Sequence, residues 1–137
     1  MKSRSESLIR LKKFQVDDKR RQLTQIEMMI ADFERMAAEL DQQIDIEHQK
    51  TGISDVAHFA YSTFAKAAMA RRDNLLASAN DMKGKLESAQ DALAEAVEEL
   101  KKVELLDQRE HGREGAADAK AEQPDYDEIA RLRHLRR

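Results

Sequence analysis

The sequence predicts an all-α chain folded as a two-helix antiparallel coiled-coil hairpin with a flexible C-terminal tail. Three observations carry this. Apolar residues recur at heptad spacing in two separate registers. One Pro and four Gly in 137 residues leave few places where a helix must stop. Charged residues make up 37% and aromatics 4%, too few bulky side chains for a globular core, so an extended helical architecture fits the composition better.

The first register starts at Ile9 and runs Ile9, Val16, Leu23, Ile30, Ala37 and Ile44, with Lys12, Lys19, Ile26, Phe33 and Leu40 at the positions three further on. Only the two lysines are polar. It predicts a helix over residues 4–50. The second register runs Ala65, Arg72, Ala79, Leu86, Leu93 and Leu100, with Ala68, Leu75, Met82, Ala89, Ala96 and Val103 at its d positions, and Arg72 alone is polar. It predicts a helix over 55–111. A turn is expected at 51–54, where Gly52 suits the left-handed cap conformation and Ser54 or Asp55 suits the N-cap of the second helix.

If the chain reverses near Gly52, the facing pairs are Ile9 with Ala96, Val16 with Ala89, Leu23 with Met82, Ile26 with Ala79, Ile30 with Leu75 and Leu40 with Ala65. Large residues then meet small ones, which lets the helices approach closely. Registers one heptad to either side satisfy the spacing equally. They would centre the turn on Gln49 or Val56 and leave Gly52 off the bend. Helices of roughly 45 residues would form a rod of about 65 Å at 1.5 Å per residue, with a seam rather than a pocket.

Charge fits the antiparallel arrangement. Residues 2–21 are rich in Lys and Arg, and the stretch 87–110 that would lie beside them holds Glu87, Asp91, Glu95, Glu98, Glu99, Glu104, Asp107 and Glu110. Much of the basic charge is therefore read as internal complement, in exposed pairs worth a few tenths of a kcal/mol each. The net charge of −3 argues against a polycation seeking nucleic acid.

Beyond Val103 the next a and d positions are Asp107 and Glu110, and Gly112 and Gly115 follow, so the second helix is expected to fray there. Residues 112–137 are read as the tail. Pro124 interrupts it, and Asp125 to Arg137 form a candidate short basic amphipathic helix with Tyr126, Ile129 and Leu132 at helical spacing. The tail is too short to hold its own fold in water. It is either a disordered segment or one that orders on a partner, an anionic lipid surface or RNA.

Several classes of function find no support in the residues. Cysteine is absent, so neither a disulfide nor a thiolate site exists, and no stretch approaches the roughly 20 apolar residues of a membrane span. No signal-peptide core is seen at the N-terminus, and a cytoplasmic chain is expected. His48, His58, His111 and His134 are scattered without metal-ligand spacing and are read as surface residues. No phosphate-cradling glycine loop is present. Carboxylates on an open two-helix surface have no dry cleft in which to be tuned for acid or base work, so neither an enzyme nor a bound cofactor is expected.

What remains is apolar surface outside the seam. Leu8, Leu11, Phe14 and Leu105 gather toward the open end of the expected hairpin, and Ile46, Phe59 and Phe64 toward its turn. Scattered exposed apolar residues are ordinary on protein surfaces. A two-helix hairpin has no third layer to cover these, however, and protein partners are the sharper reading.

Ser7 to Val16, the turn at Gly52, His58-Phe59-Ala60-Tyr61-Ser62-Thr63-Phe64-Ala65 and Glu98-Glu99-Leu100-Lys101-Lys102-Val103-Glu104 together resemble the FliJ family of flagellar export proteins, in the form found in alphaproteobacteria. The resemblance covers roughly residues 1–110. It implies a soluble coiled-coil component of the flagellar type III export apparatus, peripheral at the cytoplasmic face of the inner membrane. It further implies binding to the export ATPase and the membrane-embedded export gate, and the handling of export chaperones. By the resemblance the open end, with Leu8, Leu11, Phe14 and Leu105, meets the ATPase. The turn-proximal half meets the gate, with Phe64 best matching the family's gate-binding aromatic and Tyr61 and Phe59 nearby. Ala68 and Arg71 stand where the family carries further apolar residues. Two other classes fit the periodicity: a generic cytoplasmic coiled-coil scaffold or chaperone, and a basic nucleic-acid-binding arm, whose affinity would fall steeply with salt.

Overall fold

A computed structural model of the chain describes residues 4–121. Helix α1 spans Arg4–Thr51 and helix α2 spans Thr63–Ala121. They run antiparallel, joined by a connector of residues 52–62, and no strand occurs among the described residues. The fold divides into two compact units. One is a terminal unit that includes residues 4–16 and 96–121, and the other is a connector unit formed by Asp17–Glu95.

The heptad assignment holds residue by residue. The buried side chains are Val16, Ala37 and Ile44 of α1 and Ala65, Ala68, Ala79, Ala96 and Val103 of α2, all at expected a or d positions. None of the large exposed apolar residues occupies such a position. Most of the fully covered residues are alanines. Two helices alone enclose only what is small and central, so Leu23, Ile26, Ile30, Phe33, Leu75, Met82 and Leu86 are half-buried. Each of these contributes less than the roughly 1.5–3 kcal/mol of a fully buried aliphatic side chain.

The pairing differs from the expected one by a heptad. In the connector unit Arg72 Nη1 lies 2.8 Å from Asp41 Oδ1, and in the terminal unit Lys12 Nζ lies 2.9 Å from Glu99 Oε2. The expected register would have put Arg72 beside Phe33 and Lys12 beside Leu93. The contacts instead match the register centred on Val56, which pairs Ile9 with Val103, Val16 with Ala96, Phe33 with Ala79, Ala37 with Leu75 and Ile44 with Ala68. Large still meets small, as the alanine-rich seam requires.

The cause is the connector. Helix α1 ends as expected: Gly52 takes φ +70° and donates its N–H to the His48 carbonyl at 2.9 Å, closing the helix with a left-handed residue. The next helix does not start at residue 55, and the reversal is longer than 51–54. Asp55 Oδ1 accepts the Ala57 N–H at 2.9 Å, and His58 Nδ1 accepts the Ala60 N–H at 3.0 Å. Backbone bonds from His58 N–H to Asp55 O and from Tyr61 N–H to His58 O, both 3.1 Å, complete two turns. Such local bonds offer the backbone an alternative to the helix. The N-cap is Ser62 rather than Ser54 or Asp55: its Oγ accepts the Ala65 N–H at 3.2 Å, and its carbonyl takes the Lys66 N–H at 3.1 Å.

At its far end α2 continues through Gly112 and Gly115 to Ala121, past the expected limit of 111, so residues 112–121 are helix rather than tail. A helical glycine costs about 1 kcal/mol relative to alanine, and the alanine-rich stretch that follows is among the best helix formers. The seam itself closes where expected. Val103 is its last buried residue, and Asp107 follows at the next a position, half-buried. Its Oδ2 lies 3.4 Å from His111 Nε2, while its Oδ1 is buried with no hydrogen-bond partner among the described residues. A carboxylate in that place opposes further apolar pairing. The candidate helix at 125–137 lies outside the described residues.

Candidate partner-binding surfaces

Leu8, Leu11, Phe14 and Leu105 all lie in the terminal unit and are all exposed, Phe14 at 60%. Leu8, Leu11 and Phe14 follow one another at three-residue steps along α1, so neighbours share a face. Leu105 and Leu106 bring exposed apolar surface from α2. Leu106 did not figure among the expected site residues. Its signal was available, because Leu8 and Leu106 both occupy heptad position g, and antiparallel pairing sets g positions of the two helices along one edge of the seam. The charged rim is ordered by the Lys12–Glu99 contact, in which Lys12 holds the Glu99 carboxyl below its usual range through its hydrogen bond and then its charge.

In the connector unit the three aromatics of the expected site have different roles. Phe59 sits in the connector with 97% of its surface exposed, its ring stacked on His58 with centroids 4.7 Å apart. It is a loop residue, not an outward residue of the second helix. Phe64, in the first turn of α2, is 54% exposed. Ile46 in the last turns of α1 and Val56 in the connector are also exposed.

Tyr61 is half-buried and acts on the connector itself. Its hydroxyl donates to Met69 Sδ at 3.2 Å and lies 2.7 Å from His48 Nε2. The Ser62 hydroxyl donates to Glu47 Oε1 at 2.9 Å. These bonds fasten the connector and the α2 N-cap to the last turn of α1, so Phe64 is presented from a fixed base. Tyr61 and His48 were visible in the sequence only as a surface aromatic and a surface histidine.

A groove of about 550 Å³ beside Gly84, lined by Gln22, Ile26, Asp81, Lys85, Ser88 and Ala89, is open to solvent. No cluster of potential metal ligands occurs among the described residues. No described helix is long and apolar enough to cross a membrane. Arg72 is held more firmly protonated than an ordinary arginine, first by its hydrogen bond to Asp41, which suits a structural cation.

A family model described as "Flagellar FliJ protein" matches residues 1–137. No curated protein and no solved structure matches the chain.

Proposed function

The chain belongs to the flagellar FliJ family, of non-catalytic coiled-coil proteins related to flagellar export, and from that premise we propose that it couples the export ATPase to the export gate. The terminal unit, through Leu8, Leu11, Phe14 and Leu105 and with Leu106 added, binds the ATPase. The connector unit, through Phe59 and Phe64, binds the gate, while Tyr61 holds that surface in shape. Export chaperones are further partners, and the protein is cytoplasmic, held peripherally at the inner membrane through the gate.

The observation that carries this reading is that exposed large apolar residues occur in both compact units of a hairpin with no third layer to cover them. Interface energy concentrates in a few aromatic and large apolar anchors, and each unit exposes a phenylalanine. A nucleic-acid-binding arm has less support, because seam cations such as Lys12 are engaged by carboxylates of the other helix.

Binding of the full chain to purified export ATPase and to the cytoplasmic domain of the gate protein tests the assignment. Phe14→Ala with Leu105→Ala should weaken ATPase binding about tenfold or more and spare the gate, and Phe64→Ala should do the reverse. The opposite pattern would exchange the two partners between the units. Loss of neither contact in any variant would remove the assignment.

A further inference from the structure

Phe59 is more exposed than any other large apolar residue described, yet the backbone that carries it is fixed. It lies in the turn closed from Tyr61 N–H to His58 O, directly after one closed from His58 N–H to Asp55 O. Its neighbour His58 stacks on the ring and accepts the Ala60 N–H at Nδ1. An aromatic side chain held out in this way loses little conformational freedom on binding, which favours an anchor over an incidental exposed residue.

Its surroundings specify the occupant. The chain is 37% charged, but residues 52–62 contain one formally charged side chain, Asp55. No lysine or arginine lies in the connector to engage lipid headgroups or phosphates, and one aromatic ring alone gives little hold on a bilayer. An uncharged knob of this kind fits an apolar pocket in a folded protein.

His58 adds a condition. A nitrogen that accepts a hydrogen bond carries no proton, so the Ala60 contact requires neutral His58 with its proton on Nε2. Protonation would place an N–H on Nδ1 against the Ala60 N–H, donor against donor, and open the turn that carries Phe59. The charged group nearest in the chain is Asp55, whose Oδ1 is engaged by the Ala57 N–H. Neither α1 nor α2 supplies an ion-pair partner to His58 among the described residues.

We infer that Phe59, held in place by neutral His58, is the anchor by which the connector enters an apolar pocket of a folded protein partner, and that protonation of His58 weakens this contact. Phe59 touches the partner; His58 is a positioning residue. The inference rests on the proposed gate contact and adds its anchor and its pH dependence.

The test uses the full chain and the cytoplasmic domain of the gate protein, with affinity measured at about pH 8 and about pH 5.5. Phe59→Ala should lose about tenfold or more at the higher pH. The unaltered chain should lose about fivefold on acidification, the worth of one ordinary hydrogen bond. His58→Asn keeps an acceptor that reaches the Ala60 N–H and does not titrate, so it should bind equally at both pH values. The Ala60 amide resonance should move with pH in the unaltered chain and stay fixed in His58→Asn.

Phe59→Ala binding as tightly as the unaltered chain would overturn the anchor. A fivefold loss retained in His58→Asn, or an Ala60 resonance indifferent to pH, would overturn the role of His58. Capture by neutral lipid vesicles that disappears in Phe59→Ala would make the occupant a membrane and overturn the protein pocket. A gate domain that binds no form of the chain would remove the gate contact and this inference together, a result distinct from binding that ignores Phe59.

Discussion

Arg72 and Asp41 meet at 2.8 Å across the helix pair, and Arg72 is the a-position residue that interrupts an otherwise apolar register in α2. A heptad pattern is unchanged by a shift of seven residues, so the apolar seam alone accepts the observed register and its neighbour almost equally. Charged seam residues with a partner on the other helix break that degeneracy, as single polar core positions do in other coiled coils. Lys12 and Glu99 repeat the arrangement in the terminal unit.

Paired cysteines should report the register. Val16→Cys with Ala96→Cys should form a disulfide within one chain, whereas Val16→Cys with Ala89→Cys should not, because a one-heptad offset of about 10 Å exceeds the span of a disulfide. Adding Lys12→Leu and Arg72→Leu should let the second pair begin to crosslink while leaving the helix content unchanged. Non-reducing electrophoresis with peptide mapping distinguishes these products.

The connector holds the same register from the other side. Ser62→Ala removes the N-cap of α2 and the bond to Glu47, and should cost about 1–2 kcal/mol in urea unfolding. Ser54→Ala, at the position expected from sequence to cap the helix, should cost little.

Acid should weaken the Lys12–Glu99 contact in a defined direction. Glu99 is held below the ordinary carboxylate value of 4.5 in the folded chain, chiefly by its hydrogen bond from Lys12. Its contribution is therefore complete above 4.5 and is lost as the pH falls through the lower folded value. The unaltered chain should lose more stability than Glu99→Gln over that acid range. The difference should shrink in high salt, since the pair is partly exposed. Urea midpoints at graded pH and ionic strength measure it.

Gly84 is the clearest place to gain stability. It lies inside α2, and a Cβ added there would meet nothing within 4 Å. Gly84→Ala should raise stability by about 0.5–1 kcal/mol, read from the thermal midpoint.

Ile30→Asp should do the reverse on a larger scale. Ile30 is a half-buried seam residue, and placing a carboxylate in the seam should cost several kcal/mol and much of the helical circular dichroism. Met28→Asp, two residues away but exposed at an f position, should leave the helix content nearly unchanged.

Helix identity and seam composition were legible in the sequence because a and d positions carry their own signature, down to Val103 as the last buried residue. Register was not legible, because it depends on where α2 begins. His58-Phe59-Ala60-Tyr61 has the composition of a helix, and the Asp55 and His58 side chains bonding to nearby N–H groups, with the backbone turns beside them, favour a connector instead. Gly112 and Gly115 misled in the opposite sense, since their cost is small beside the propensity of the alanines that follow. Leu11, Phe14 and Leu105 were recognisable as outward residues from periodicity alone. The bonds that turn Tyr61 inward span thirteen residues to His48 and have no periodic signature.

The half-covered seam has a consequence for how the chain responds to its surroundings. Most of the large seam side chains among the described residues are only half-buried, so much of the apolar area that would stabilise a globular domain is still in contact with water. Any molecule that lies along the pair covers part of that area and binds the folded form alone, so its concentration enters the folding equilibrium directly. The melting temperature of this protein then becomes a ligand-dependent quantity, and its rise on titration measures how much of the wet seam each partner dries.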